Sequence, residues 1–334
     1  MRTQTLGRGL KVSAVGLGCM GFSHAYGAAM DDAEAIKLIR YAHEQGVTLF
    51  DSAETYGTPE DPHCNEVLVA NALRPIRDEV TIVTKFGIHF DFNHEPPYPL
   101  CLDSTPETIY KSCEGSLKRM GLDHIDLYFQ HRMDPNVEPE IVAEAVGKLI
   151  KEGKVLHWGI SEATEDYLRR AHAVTPVTAV ENRYSMMARE HESLWSTLEE
   201  LGIGFLAFSP LANGFLTGQV KKGMQAGFDG KAGDYRANMP QFKDENIEKS
   251  QALLDMLNDT AAAHGISVPQ LSLAWMICKK PWLVPIPGSR KAERIEQNAA
   301  AGDVVLSAEE IARIDAALDG MEFEVFGVHA AAKK

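Results

Sequence analysis

Apolar runs of strand length alternate with amphipathic stretches along almost the entire chain. Residues 12–17, 47–50, 80–84, 125–130, 155–160, 177–180, 203–208 and 282–286 are short runs rich in β-branched and aromatic side chains. That pattern predicts strands buried on both faces, because a strand with one wet face would alternate with polar residues. Segments of helical period fall between them, over about 31–44, 65–73, 141–152, 165–173, 190–201, 247–264, 268–278 and 292–299, with a terminal helix over 308–318. Their ends carry the chemistry of helix termini. Asp31 or Asp32 is a candidate N-cap and Ser307 another, while Ser104-Thr105-Pro106-Glu107 opens a further helix with a capping hydroxyl before a first-turn proline. Gly153 and Gly202 follow two of the helices as stop residues.

Counted from Val12, this order amounts to about eight strand–helix units, the number that closes a (β/α)8 TIM barrel. The 334 residues fit a barrel of about 250 residues with insertions, and no linker or low-complexity stretch divides them, so 1–334 reads as a single α/β barrel domain. Residues 3–11, with Gly7 and Gly9, predict a β-hairpin covering the barrel bottom. Segments 88–102 and 216–243 predict long loops on the opposite rim, where Phe90, Phe92, Tyr98, Phe228 and Tyr235 either line a pocket or simply pack the loops. Gly16-Leu17-Gly18-Cys19-Met20-Gly21 fits the GxGxxG dinucleotide fingerprint, which requires a helix to begin inside the motif. Residues 22–30 intervene here, so the motif reads as a glycine-rich turn ending the first barrel strand.

The formal net charge of −14 argues against a nucleic-acid partner, which needs a basic face. A local cluster of Lys and Arg can still hold an anionic ligand. No apolar stretch reaches the roughly 18 residues of a membrane span, and residues 1–11 lack an apolar signal core, so a cytoplasmic location is expected. Cys19, Cys64, Cys101, Cys113 and Cys278 are odd in number and have no CxxC spacing, which predicts reduced thiols and no metal site.

Four polar residues each stand just past a predicted strand: Asp51 after 47–50, Tyr56 five positions on, Lys85 after 80–84 and His131 after 125–130. Ionisable groups at the carboxyl ends of several parallel strands are the arrangement that barrel enzymes use for catalysis. A free phenol, with a pKa of about 10, is a poor proton donor near neutrality, and a nearby ammonium is expected to lower it. A carboxylate keeps that ammonium charged, and an imidazole can hydrogen-bond a substrate oxygen. The set suits a carbonyl that is becoming an alkoxide. Taken singly, Asp51 and Lys85 could be a structural ion pair, Tyr56 a rim aromatic and His131 a core histidine, and Lys85 could be the Schiff-base amine of an aldolase-type barrel.

Phe50-Asp51-Ser52-Ala53-Glu54-Thr55-Tyr56-Gly57, Thr84-Lys85-Phe86-Gly87 and Asp126-Leu127-Tyr128-Phe129-Gln130-His131 resemble the signatures of the aldo-keto reductase family. Trp158-Gly159-Ile160-Ser161-Glu162, Tyr184-Ser185, Phe208-Ser209-Pro210-Leu211-Ala212-Asn213-Gly214 and Ile286-Pro287-Gly288-Ser289-Arg290 extend the resemblance across nearly the whole chain. The resemblance implies a barrel that binds NADPH across its C-terminal rim and reduces an aldehyde or ketone, a small-molecule carbonyl substrate. By position Tyr56 resembles the proton donor, Lys85 and Asp51 its tuning pair, and His131 the carbonyl-orienting residue. Ser161 resembles the nicotinamide-carboxamide serine. Ser209, Leu211, Asn213 and Gly214 resemble the pyrophosphate loop, Ser289, Arg290 and Arg294 the 2′-phosphate contacts, and Gln297 and Asn298 the adenine contacts.

The chain departs from the family's pattern at several of these positions. Glu162 and Glu181 stand where the carboxamide often meets Asn and Gln, and a carboxylate cannot donate to the amide oxygen. Phe208 replaces a stacking Tyr, and Gly288 replaces a lysine before the 2′-phosphate serine. Some relatives are cofactor-bound accessory subunits of potassium channels, so a regulatory subunit with weak reductase activity is the alternative reading.

Overall fold

The computed structural model describes residues 1–95 and 98–327. The predicted hairpin forms from β1 (Thr3–Thr5) and β2 (Lys11–Ser13), antiparallel with Gln4 opposite Val12. Strands and helices then alternate: β3 (Leu17–Gly18), α1 (Asp32–Glu44), β4 (Leu49–Asp51), α2 (Cys64–Leu73) and β5 (Thr81–Phe86). A second hairpin, β6 (Ile88–Phe90) and β7 (Leu100–Leu102), precedes α3 (Pro106–Met120), β8 (Ile125–Gln130), α4 (Pro139–Lys151), β9 (Val155–Ser161), α5 (Glu165–Val174) and β10 (Ala179–Arg183). The chain continues through α6 (Trp195–Leu201), β11 (Gly204–Phe208), α7 (Asp244–Lys249), α8 (Gln251–Ala263), α9 (Val268–Lys279), β12 (Leu283–Pro285), α10 (Ala292–Ala300) and α11 (Ala308–Asp319). The sheet order is β12-β11-β10-β9-β8-β5-β4-β3, with every neighbouring pair parallel. Its two ends meet where the Gly16 and Gly18 N–H groups donate to the carbonyl oxygens of Pro285 and Pro287, at 2.9 and 3.3 Å. This is the eight-stranded α/β barrel that the apolar pattern predicts.

Side chains alternate across each strand, which separates two apolar layers. Leu49, Val83, Leu127, Phe129, Ala179, Leu206, Val284 and Ile286 fill the barrel interior. Leu6 and Val12 from the hairpin segment join that cluster and seal its bottom. The alternate residues, Phe50, Ile82, Tyr128, Trp158, Val180 and Phe205, face outward into a second layer against the helices.

Several boundaries differ from the sequence reading for local polar reasons. The run at 12–17 is split between the hairpin and the barrel. Ser13 and Thr48 exchange N–H-to-hydroxyl hydrogen bonds at 2.8 and 2.9 Å, and the Ser13 hydroxyl donates to Val15 O, turning the chain before β3. The helix expected over 247–264 is broken at Ser250 into α7 and α8. The one over 190–201 opens as a 3-10 turn at Glu190–Leu194. Thr105 occupies the N-cap of α3, but its hydroxyl donates to Thr108 Oγ1, and Asp103 accepts from the Thr105 N–H instead. Asp31 and Ser307 cap α1 and α11 as expected, Ser307 in a reciprocal capping box with Glu310. No described helix is long and apolar enough to cross a membrane.

Candidate active site

The interior register carries the chemistry. Two residues beyond an interior position of its strand, each of Asp51, Lys85, His131, Ser161 and Glu181 points the same way, at the carboxyl end of the barrel. Lys85 is fully buried, and its Nζ donates to Asp51 Oδ1 at 2.5 Å and to the Ser52 carbonyl oxygen at 2.8 Å. Glu181 Oε1 lies 3.4 Å from the same nitrogen. The ammonium also sits 4.9 Å from the centre of the Tyr56 ring. The rings of Tyr56 and His131 meet edge to face, 5.6 Å apart. The loop bearing Tyr56 is fixed by the fully buried Asn65, which accepts from the Ser52 hydroxyl and donates to Cys19 O and Ser23 Oγ. Ser23 in turn donates to the Tyr56 carbonyl oxygen at 2.6 Å.

The electrostatics differ from the expectation at Tyr56. Burial pushes the phenol well up; Lys85 pulls it down, but Asp51 and Glu181 push it up again. Burial is the largest of these effects, and together with the two acids it outweighs the pull of Lys85, so the phenol stays protonated in the resting site. Burial opposes charge on Lys85 as well, yet Asp51 and Glu181 outweigh it and the amine stays protonated. Glu181 is pushed up to about 8 by burial and then by Asp51, against the pull of Lys85. Burial, then the charges of Lys85, Arg132 and His24, hold His131 neutral well below its ordinary range.

These groups open into a cavity of about 510 Å³ that runs from Asp51, Tyr56 and His131 past Phe208 to Ser289, Arg294 and Asn298. A sequence model of the aldo/keto reductase family matches residues 14–319. The chain belongs to the aldo/keto reductase family. It is similar to the glycerol dehydrogenase of Gluconobacter oxydans, at 26% identity and a TM-score of 0.85 over 95% of this chain and 94% of that one. It is similar also to an aldo/keto reductase of Klebsiella pneumoniae solved with NADP and acetate, at 26% identity and a TM-score of 0.71, over 97% and 99% of the two chains. A thermostable aldo-keto reductase solved with epalrestat shares the fold, at 24% identity and a TM-score of 0.72 over 95% and 100%. As a member of this family the protein is an NADP-dependent oxidoreductase.

The reductase's cavity suits such a cofactor. Ser161, Glu181, Phe208, Ser209, Leu211, Asn213, Gly214, Ser289, Arg290, Arg294, Gln297 and Asn298 all line it. Glu181 Oε2 and Arg290 Nη2 are buried in its wall with no hydrogen-bond partner, a polar pair at opposite ends that asks for a ligand. The loop after β11 holds three non-glycine residues at positive φ, Ser209 at 51°, Ala212 at 47° and Asn213 at 59°, the kind of strain that clusters at ligand sites. Gly288 has a steric reason to replace lysine: a Cβ there would lie 2.8 Å from the Gly18 carbonyl oxygen, where β3 meets the segment after β12.

Glu162 lies outside the cavity wall. Burial opposes its charge, but His191, the Arg183 N–H and Arg132 hold its carboxyl down at about 2, and its Oε1 accepts from that N–H at 2.9 Å. Of the loop aromatics only Tyr235 lines the cavity. Phe90, Phe92 and Tyr98 pack on one another, and Phe228 packs on Phe242, 5.0 Å between ring centres. Sequence reasoning did not pick out Tyr26, whose hydroxyl accepts from Asn213 Nδ2 at 2.9 Å, or Arg132, Arg183 and Phe326, all cavity residues. Arg183 carried a usable signal: it follows Glu181 by two and so shares its face of β10.

Proposed function

We propose that this aldo/keto reductase reduces aldehyde or ketone carbonyls to alcohols with NADPH, and that Tyr56 donates the proton. The observation that carries the reading is the buried cluster in which Lys85 is held by Asp51 and Glu181 beneath Tyr56 and His131. NADPH, when bound, supplies the hydride. Tyr56 keeps its proton across the neutral range, so the acid form is the resting form. Its neighbour Lys85 stabilises the phenolate left after transfer, when negative charge appears beside the ammonium. Neutral His131 orients the carbonyl oxygen without giving up a proton to it. A fully buried, doubly paired lysine suits this task and not that of a Schiff-base nucleophile, which must be neutral.

Ser161 and Glu181 are assigned to the nicotinamide carboxamide and Phe208 to its ring. Ser209, Leu211, Asn213 and Gly214 are assigned to the pyrophosphate, Ser289, Arg290 and Arg294 to the 2′-phosphate, and Gln297 and Asn298 to the adenine. Glu162 supports this rim from behind through Arg183 and His191. The test is a panel of aldehydes, ketones and sugars assayed by loss of NADPH absorbance with the purified chain. Turnover of at least one carbonyl class supports the reading, and NADPH binding without turnover of any would favour an accessory subunit.

A further inference from the structure

The cavity is cationic in an acidic protein. Arg132, Arg183, Arg236, Arg290, Lys291 and Arg294 line it, against two carboxylates, Asp51 and Glu181, both engaged with Lys85. Four of the six are accounted for elsewhere. Arg236 is paired with Asp234 at 2.6 Å, Arg290 donates to the carbonyl oxygens of Gly21 and Ala28, and Lys291 and Arg294 stand at the start of α10 at the far end.

Arg183 is different. It is only 9% exposed, yet among the described residues its guanidinium has neither an ion pair nor a hydrogen bond. It lies 5.5 Å from the centre of the Phe208 ring, and a Cβ on Gly327 would come within 2.3 Å of its terminal nitrogens, so Gly327 packs closely against it. Arg132 approaches the same ring, at 6.0 Å, and spends Nη1 on His131 O and Ser161 Oγ, leaving its remaining donors uncommitted. Two guanidinium groups thus flank one aromatic beside the reacting end of the cavity. Two acids outside the Lys85 cluster, Glu162 and Glu190, attract the guanidinium without pairing with it, and Glu162 is spent on the Arg183 N–H and His191. A largely buried guanidinium that pairs directly with no carboxylate favours an anionic ligand, and a planar carboxylate is the group its paired donors fit best.

We infer that Arg183, with Arg132, forms an anion subsite for the substrate, and that the preferred substrates are carbonyl compounds bearing a carboxylate. The inference rests on the reductase reading above. Its test compares 4-carboxybenzaldehyde with its methyl ester, a neutral analogue of similar shape whose aldehyde is intrinsically the more electrophilic, using the full chain with NADPH. The acid is expected to exceed the ester at least tenfold in kcat/KM, chiefly through KM. In Arg183→Met the acid-to-ester ratio should fall to near one, with Arg183→Lys in between, a loss of about tenfold to a hundredfold for one charge-assisted contact. Benzoate and benzamide, titrated calorimetrically against the protein loaded with NADP, give a readout free of turnover: benzoate should bind more tightly, and Arg183→Met should abolish the difference.

An ester reduced as well as the acid, or benzoate bound no better than benzamide, overturns the subsite while leaving the reductase reading intact. If Arg183→Met weakens NADPH itself and leaves the acid-to-ester ratio unchanged, the guanidinium reads the cofactor and the inference is wrong. Discrimination between benzoate and benzamide without reduction of any carbonyl would keep the subsite and sink the reductase reading.

Discussion

At the scale of single residues, the site turns on how three charges share one buried volume. Asp51 and Glu181 both approach Lys85, and Glu181 retains one carboxylate oxygen without a partner. Burial and then the charge of Asp51 let Glu181 keep its proton up to about 8, in a site where it faces Asp51, Lys85, Tyr56 and Arg132. An unfolded glutamate loses its proton near 4.3. Between those values the folded protein binds more protons than the unfolded chain, so this contribution to stability is whole below the lower value and lost as pH rises through the upper one. Glu54, also pushed to about 8 by burial and then by Glu66, adds a second loss in the same window. Glu181→Gln removes only the first. Relative to wild type it should gain on the order of 1 kcal/mol or more on going from pH 5 to pH 9 in urea denaturation. An equal gap at both pH values would mean that Glu181 is ionised throughout. The same variant should remove a break near pH 8 from the kcat/KM profile, because Tyr56 is held too high to titrate there.

At the scale of elements, the strands were more legible than the loops and turns between them. Consecutive apolar runs mark parallel strands because both faces are covered, and the period of two then fixes which polar residues enter the site: Leu49 to Asp51, Val83 to Lys85, Phe129 to His131. Applied to Ala179, the same rule gives Glu181 and then Arg183. The hairpin β6–β7 was not legible, because its strands are exposed or half-buried on both faces and leave no alternation. Nor was the role of Asn65, which rests on contacts with Cys19 and Ser23 more than forty residues away. The raised pKa of Tyr56 escaped for a similar reason: the sequence placed Lys85 near it but showed neither how deeply the phenol is buried nor Glu181 against the lysine.

The segment from Ser289 to α10 carries the cofactor's proposed 2′-phosphate contacts at a helix N-terminus, where a positive dipole end adds to Arg294. Arg290 donates to Gly21 O and Ala28 O, so Arg294 is the freer cation. Arg294→Ala should weaken NADPH about tenfold to a hundredfold and NADH little, by fluorescence titration. An equal loss for both cofactors would make Arg294 a support for the loop.

At the scale of the whole molecule, a chain of net charge −14 lines one cavity with more cations than carboxylates. That arrangement attracts a polyanion to the cavity while the remaining surface repels it. Salt screens exposed charges within about 10 Å at 0.1 M ionic strength, so NADPH affinity should fall with added salt and fall more steeply than that of NADH, which lacks one phosphate. Equal slopes of log Kd against log salt would show that the exposed cations at the far end do not sense the 2′-phosphate.

Single-turnover reduction by Tyr56→Phe asks whether Tyr56 donates the proton. The substitution removes one hydroxyl and keeps the ring that packs against His131 and Lys85, so NADPH should bind with unchanged affinity. The rate of NADPH oxidation by a saturating aldehyde should fall about 10²–10⁴-fold, the usual contribution of general acid catalysis. A variant that binds NADPH normally and keeps more than half of the wild-type single-turnover rate would contradict the account.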